Sequence, residues 1–154
     1  MDWGEITLRL GSAAVIGTGL GLNRYLHHKS IGVRTLGIVA VVSAAIVAAT
    51  FEATNSDGAT RVAQGIVTGI GFLGTGLFVH GVKGHSVHGL TTAATVWAAA
   101  VVGVLCGLAV WHYVVVTAVF IAIILTFGGR LEKWIALRFG DKEAPPQVPT
   151  DIEK

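Results

Sequence analysis

The chain contains few of the residues on which soluble enzymes and disulfide-bonded domains depend. Asp, Glu, Lys and Arg make up 13% of its 154 residues, well below the roughly 25% of soluble domains. Cys106 is the only cysteine, which excludes an intramolecular disulfide, and its apolar surroundings in the sequence predict a packing role. The acidic start, with Asp2 and Glu5, lacks the basic region of a signal peptide, so we expect the first apolar segment to be retained.

Catalytic and metal-binding patterns are also missing from the sequence. No nucleophile lies at a recognisable spacing from a base, and the letters of a dinucleotide fingerprint at 69–74 lie within an apolar run rather than after a strand. Histidines form the only metal-like clusters, and no cysteine or carboxylate lies beside them at ligand spacing: His27, His28, His80, His85 and His88. We therefore expect no catalytic residue, metal site, cofactor or nucleic-acid partner.

Long apolar runs dominate what remains. Hydrophobic residues make up 53% of the chain and the mean hydropathy is +0.70. A membrane span of about 20 residues places helices near 5–25, 33–52, 61–80, 90–109 and 111–130. The predicted fold class is therefore an all-α membrane protein, a bundle of about five transmembrane helices in the lipid bilayer.

Two further boundaries are predicted, one between the fourth and fifth helices and one after residue 130. Between the fourth and fifth helices, the turn is inferred from the length of the apolar run and from Trp111, His112 and Tyr113, whose rings favour the membrane interface. A single long or re-entrant helix there is the alternative. After the transmembrane domain of residues 1–130, we predict an interfacial amphipathic segment at 131–140 and a disordered polar tail at 141–154.

Glycines are concentrated in the third predicted helix, although each costs about 1 kcal/mol relative to alanine in a helix. Membrane helices use small residues to bring backbones into contact, whereas transporters use them to loosen discontinuous helices. We favour contact and predict packing faces, which would also suit a homodimer, at Gly17, Gly21, Gly65, Gly69, Gly71, Gly74, Gly103 and Gly107. For the homodimer, the predicted faces are Ala13, Gly17 and Gly21, or Ala99, Gly103 and Gly107.

Polar residues within the predicted helices suggest a second kind of site. Glu5 and Arg9 are four residues apart and share a helix face, as do Asp57 and Arg61. Charges in such positions usually face a cavity or each other, which predicts an intramembrane cluster of these four residues; the alternative is snorkelling near the headgroups. On the third helix, Gln64 and Thr68 are predicted to bond across helices or line a polar path.

Basic residues and a helix start define a third candidate site. Arg24 and Arg34 flank the first predicted loop, and Thr91 and Thr92 open the fourth helix, where they are expected to act as N-caps. A helix N-terminus also attracts anions. If the third and fourth helices fold back toward the arginines, a basic cytoplasmic pocket for phosphate, nucleotide or a lipid headgroup results. Alternatively, the arginines only set topology and contact anionic lipid.

Three sequence elements resemble one protein family. Residues 61–64 (RVAQ), 69–74 (GIGFLG) and 89–94 (GLTTAA) resemble the signature of the MgtC/SapB family of bacterial inner-membrane proteins. The resemblance implies a short, multi-pass member without the family's C-terminal cytosolic domain. It further implies a regulatory protein, linked to magnesium limitation, stress adaptation and virulence, that binds other membrane proteins such as ATP synthase. The alternative function is a small magnesium transporter or channel subunit.

The distribution of Lys and Arg predicts that the N-terminus lies outside and the C-terminus in the cytoplasm. Reporter enzymes fused after Lys29, Lys83 and Arg138 should therefore show cytoplasmic activity, and one inserted near Ser56 should show external activity. An external signal at Arg138 would replace the five-span topology by one with an even number of spans.

Overall fold

The computed structural model describes residues 1–26, 31–79 and 89–139, with side-chain surroundings for all of these except 55, 74–79, 133 and 136. Four uninterrupted helical runs cover this part of the chain: α1 (Trp3–Leu26), α2 (Val33–Val79), α3 (Leu90–Gly107) and α4 (Trp111–Phe139). The predicted all-helical fold is confirmed. The segment predicted at 131–140 continues α4 as far as Phe139, and the tail at 141–154 lies outside the described residues.

The longest run, α2, contains both the second and the third predicted helices. Its 47 residues cannot form a straight rod, because Ile38 and Ile70 line the same groove although a straight helix would hold them about 48 Å apart. Val47 and Ala59 likewise share one buried cluster. We therefore describe α2 as a first arm (33–52) and a second arm (59–79) that doubles back on it, which gives the five helical segments expected from the sequence.

Threonines and one glycine produce the bend between the arms. Thr50 Oγ1 donates to the carbonyl of Ile46 at 2.7 Å, and Thr54 Oγ1 donates to that of Thr50 at 2.9 Å; such bonds one turn back bend helices. A Cβ added to Gly58 would collide with Thr54 and lie 3.2 Å from Thr50 Cγ2. Thr50 is two turns away from Gly58, so only a sharply bent helix brings them this close, and Gly58 lies on the inside of the bend.

Backbone contact holds α1 against the first arm of α2. A Cβ on Gly17 would lie 2.7 Å from Ala40 Cβ and 2.8 Å from the carbonyl oxygen of Leu36. One turn further along α1, a Cβ on Gly21 would lie 2.5 Å from Val33 Cα. Each distance is shorter than ordinary Cβ contacts, so only glycine permits this approach.

On another side of the same arm, α3 approaches equally closely. A Cβ on Gly103 would collide with the carbonyl of Ala40, and one on Gly107 would lie 2.6 Å from that of Ala44. Cys106 and Val102 are fully buried beside them. The glycines of α1 and α3 thus pack within the chain, as small residues do between membrane helices.

This packing corrects the prediction for a homodimer interface. The proposed faces are buried inside the chain: Ala13, Gly17 and Gly21 on α1, and Ala99, Gly103 and Gly107 on α3. A second copy cannot use them because other helices of the same chain already cover them. A homodimer through another surface stays a prediction.

The second arm presents its glycines differently. A Cβ on Gly65, Gly69 or Gly71 would meet nothing within 4 Å, so no described helix covers these three, and their role in helix packing stays a prediction. The reason is the face by which this arm packs, which carries Val62, Ala63, Ile66 and Ile70. Gly74 falls outside the residues whose surroundings are described.

A tight turn separates α3 from α4, which confirms the predicted break and excludes a single long helix. The amide of Val110 donates to the carbonyl of Leu105 at 3.2 Å, and that of Ala109 donates to Cys106 at 3.0 Å. These bonds form a Schellman motif, which usually places glycine at the left-handed position. Here Ala109 takes that position, with φ of 56°.

Within residues 1–26, 31–79 and 89–139, three helical stretches are long and apolar enough to cross a bilayer: Val33–Thr54, Leu90–Gly107 and Trp111–Phe139. The last is also largely exposed, with apolar side chains around its surface such as Val116, Phe120, Ile124 and Phe127. A surface of this kind suits a lipid environment. These stretches support the membrane class of the fold, and the orientation of the termini stays a prediction.

Replacing Gly103 by leucine tests the close packing of α3. Because the new side chain would meet the Ala40 backbone, we expect Gly103→Leu to lower the free energy of unfolding by at least about 1–3 kcal/mol. Gly65→Leu is the matched control, since space is open there. Thermal unfolding of both purified variants in detergent provides the measurement, and equal melting temperatures would contradict the close contact.

Candidate functional site

Two buried arginines on α1 contact opposite ends of α3. Arg9 and Arg24 are each only 5% exposed. Arg9 donates from Nη1 to the carbonyl of Gly107, the last residue of α3, and Arg24 donates from Nη2 to Oγ1 of Thr92 in the first turn of α3. The two helices therefore run antiparallel, and their guanidinium groups occupy very different electrostatic surroundings.

At one end of the bundle, Arg9 is matched by groups of complementary charge. Its Nη2 donates to the carboxylate of Glu5, one turn earlier on α1. The Gly107 carbonyl that it also contacts is one of those that lack an intrahelical partner, and a cation at a helix C-terminus is favourable. The side chain of Arg9 thus caps the C-terminus of α3, while Glu5 balances its charge. The Nε of Arg9, like that of Arg24, has no hydrogen-bond partner among the described residues.

A second ion pair at this end was not predicted from the sequence. The Met1 amine forms an ion pair with Glu52, at the end of the first arm of α2, and the hydrogen bond that Glu52 accepts raises the pKa of that amine. The sequence does not predict this contact, because the two partners are 51 residues apart in the chain.

Asp57 and Arg61 are not part of this site. Both are exposed, and the ion pairs between described residues are Met1 with Glu52 and Glu5 with Arg9. The predicted cluster of four charges is therefore reduced to Glu5 and Arg9. Both lie beside the bend at Gly58 with their side chains exposed.

At the opposite end of the bundle, Arg24 has no matching acid among the described residues. Its Nη2 contacts the buried hydroxyl of Thr92, and its Nε has no hydrogen-bond partner. Of the other residues predicted here, Arg34 and Thr91 are exposed. The structure thus brings Arg24 and Thr92 together and leaves Arg34 and Thr91 at the surface.

The start of α3 also differs from the prediction. Its N-cap is Gly89, with φ of 112° and no capping bond from a side chain. Thr91 and Thr92 lie one and two residues inside the helix, so the expectation that they are N-caps is wrong. The hydroxyl of Thr92 instead accepts a bond from Arg24.

Polar residues near the Arg24 end also join α1 to α4. Asn23 Nδ2 donates to Thr126 Oγ1 at 3.3 Å, a contact across two predicted helices that no short spacing indicates. By comparison, Gln64 and Thr68 on the second arm are both exposed. Their predicted bonds across helices stay a prediction.

A family model for the MgtC family matches residues 10–134. This chain belongs to the MgtC family. Protein MgtC of Brucella abortus (strain 2308) is 42% identical to it over 112 residues, which are 73% of this chain and 46% of that protein. Protein SrpB of Synechococcus elongatus is 32% identical over 149 residues, 89% of this chain and 82% of that protein.

Protein MgtC of Salmonella typhimurium (strain 14028s / SGSC 2262) is 41% identical over 101 residues, 66% of this chain and 42% of that protein. The chain spans about half the length of the first curated relatives it matches. No solved structure matches it. Membership of the MgtC family, together with the three apolar helices, indicates a membrane protein.

The match to the MgtC family covers the two ends of the bundle unequally. Arg24, Thr92 and both arms of α2 lie within residues 10–134, whereas Glu5 and Arg9 precede them. The ion pair of Glu5 and Arg9 therefore lies outside the matched region, although Gly107 and Glu52 at the same end lie inside it, and Arg24 and Thr92 both lie inside it.

Removing the Arg9 guanidinium should destabilise the bundle. Arg9→Gln leaves the Gly107 carbonyl without its partner and Glu5 without its counter-charge, so we expect a loss of about 1–3 kcal/mol in the free energy of unfolding. Arg61→Gln is the control because Arg61 is exposed, and its effect should stay within about 0.5 kcal/mol. Chemical denaturation in mild detergent measures both, and the reverse order of effects would restore Arg61 to the site.

Proposed function

We propose that this chain is a regulatory protein of the bacterial inner membrane that acts by binding another membrane protein under magnesium limitation or stress. The observation that carries the proposal concerns pairs of glycines four residues apart. The sequence has three such pairs: Gly17 with Gly21, Gly65 with Gly69, and Gly103 with Gly107. Two are filled by helices of the same chain, and the pair at Gly65 and Gly69 is open.

Pairs of this kind let two membrane helices approach until their backbones touch. Gly17 and Gly103 illustrate this in the structure, because each meets the backbone or Cβ of Ala40. The pair at Gly65 and Gly69, which we call the open glycine face, has the same spacing, and none of the described helices lies against it. It therefore offers a surface for a helix from a different protein.

The surroundings of the open glycine face also suit a helix. Gly69 lines a groove of about 350 Å³ between the two arms of α2, and the opposite wall carries Ile38, Val42 and Ile46 at intervals of one turn. These three side chains are between 48% and 63% exposed. Such a ridge beside a glycine pair provides both apolar contact area and room for a close backbone.

The partner is a transmembrane helix of another protein, and ATP synthase is the candidate that the resemblance to the family suggests. A small transporter for magnesium or another ion is the alternative. It would require a continuous polar path through the bundle, to which the charged residues would be expected to contribute. Arg9, however, is occupied by Glu5 and Gly107, and Asp57 and Arg61 lie on the surface, which favours binding over transport.

Two matched glycine substitutions test the proposal in cells. Gly69→Leu should abolish the effect of the expressed protein on cellular ATP level or membrane potential, because the leucine blocks close approach at the open glycine face. Gly71→Leu should leave that effect intact, since Gly71 is equally open but lies on another side of the helix. Both variants should insert and melt like the wild type.

Flux measurements on the purified chain separate regulation from transport. In liposomes, we expect magnesium and proton flux no greater than in vesicles without protein. Robust flux that Glu5→Gln abolishes would contradict the regulatory proposal and favour the transporter.

A further inference from the structure

The end of the bundle at Arg24 gathers positive charge around a buried guanidinium. Arg24 is 5% exposed, and its Nε has no hydrogen-bond partner. Within the described part of the chain, its guanidinium hydrogen-bonds to the neutral hydroxyl of Thr92 and forms no ion pair. A buried cation without a counter-ion is unfavourable, so this arrangement calls for an anion.

The chain supplies no acid nearby in the sequence. It has no Asp or Glu between Glu5 and Glu52, or between Asp57 and Glu132. Glu5 and Glu52 lie at the opposite end of the bundle, with Arg9 and Met1. Glu132 is exposed on α4, and the ion pairs of the described residues do not include it. The remaining acids, after Glu132, follow residue 140 and lie outside the described residues.

Helix starts add to the positive potential at this end. The first intrahelical bond of α3 runs from the amide of Ala93 to the carbonyl of Gly89 at 2.9 Å, so the amides of Leu90, Thr91 and Thr92 precede it. Among the described residues no side chain caps them, since the N-cap is Gly89 and it makes no capping bond from a side chain. The start of α2 is also close, because Gly21, one turn before Arg24, lies against the Val33 backbone.

A guanidinium beside a helix N-terminus is repelled by it, because the N-terminus carries a partial positive charge. A single anion between them would reverse the sign of that interaction. Phosphate fits both sets of donors: arginine binds its oxygens with its planar N–H groups, and uncapped first-turn amides bind phosphate at many helix starts.

We propose that Arg24 and the uncapped start of α3 form a binding site for a phosphate group, in which Arg24 Nε and the first-turn amides of α3 donate to the phosphate oxygens. Thr92 positions the guanidinium for this contact. The phosphate comes either from an anionic phospholipid headgroup or from free phosphate, and the two sources share the same recognition. The site is independent of the open glycine face.

Binding to the purified, delipidated full chain in neutral detergent tests the proposal. The probes are inorganic phosphate, phosphatidylglycerol, and an uncharged glycolipid without phosphate. We expect phosphate or phosphatidylglycerol, but not the glycolipid or chloride, to raise the melting temperature. A response to phosphatidylglycerol alone identifies the lipid source, and a response to inorganic phosphate identifies the free anion. No response to either probe overturns the proposal.

Variants assign the response to Arg24. Arg24→Gln should weaken binding at least about tenfold, the effect of one lost charge-assisted hydrogen bond. Arg138→Gln, which removes an exposed arginine of α4, should bind like the wild type. Equal affinities of Arg24→Gln and Arg138→Gln would show that binding is only general attraction to positive charge, and this would overturn the site.

A second measurement holds even if Arg24→Gln fails to fold. In the wild-type chain, the bound phosphate should give a ³¹P resonance shifted from that of the free ligand. Arg24→Lys, which keeps the charge but loses Nε and the planar group, should move this resonance toward the free position, and Arg138→Gln should not. A resonance identical in all three proteins contradicts the proposed donors.

Discussion

The sharp bend of α2 at Gly58 is the constraint on which the exposed surfaces of this molecule depend. A straight helix of 47 residues would be about 70 Å long, more than twice the roughly 30 Å of a bilayer core. Because α2 doubles back, both of its arms pack alongside α1 and α3 instead of extending beyond them. The bend also fixes which glycines are buried. The first arm is covered by α1 and α3, whereas the second arm packs through Val62, Ala63 and Ile66 and leaves the open glycine face uncovered.

Close backbone contact around Ala40 sets the register of the other helices. Gly17 of α1 and Gly103 of α3 both meet this residue, so the positions of the two helices relative to each other follow from one point. From that point, Arg9 reaches the end of α3 and Arg24 reaches its start. In the same register, the charge of Arg9 is balanced by Glu5, whereas the charge of Arg24 has no acid beside it among the described residues. Arg9 is therefore a structural cap, and Arg24 is a candidate ligand site.

The sequence predicted features that depend on local pattern. Apolar runs gave the helices and the break near Ala109, and the spacing of Gly17, Gly21, Gly103 and Gly107 indicated close packing. It did not predict contacts that depend on where helices meet. Asp57 and Arg61 share a helix face, but whether that face is buried depends on the bend. The threonines that shape the bend lie in or beside a stretch that the sequence predicts as a loop between two helices. Thr91 and Thr92 have side chains typical of N-caps, yet α3 already begins at Leu90, so the N-cap is Gly89.

Distance measurement between spin labels at Ile38 and Ile70 tests most directly whether the two arms of α2 lie side by side. The labels would be attached after Ile38→Cys and Ile70→Cys, with Cys106 replaced by alanine. If α2 doubles back, the labelled positions are separated by roughly the spacing of packed helices, about 8–10 Å between axes, plus the reach of the labels. A separation near the roughly 48 Å of a straight helix would contradict the bend, and with it the position of the open glycine face.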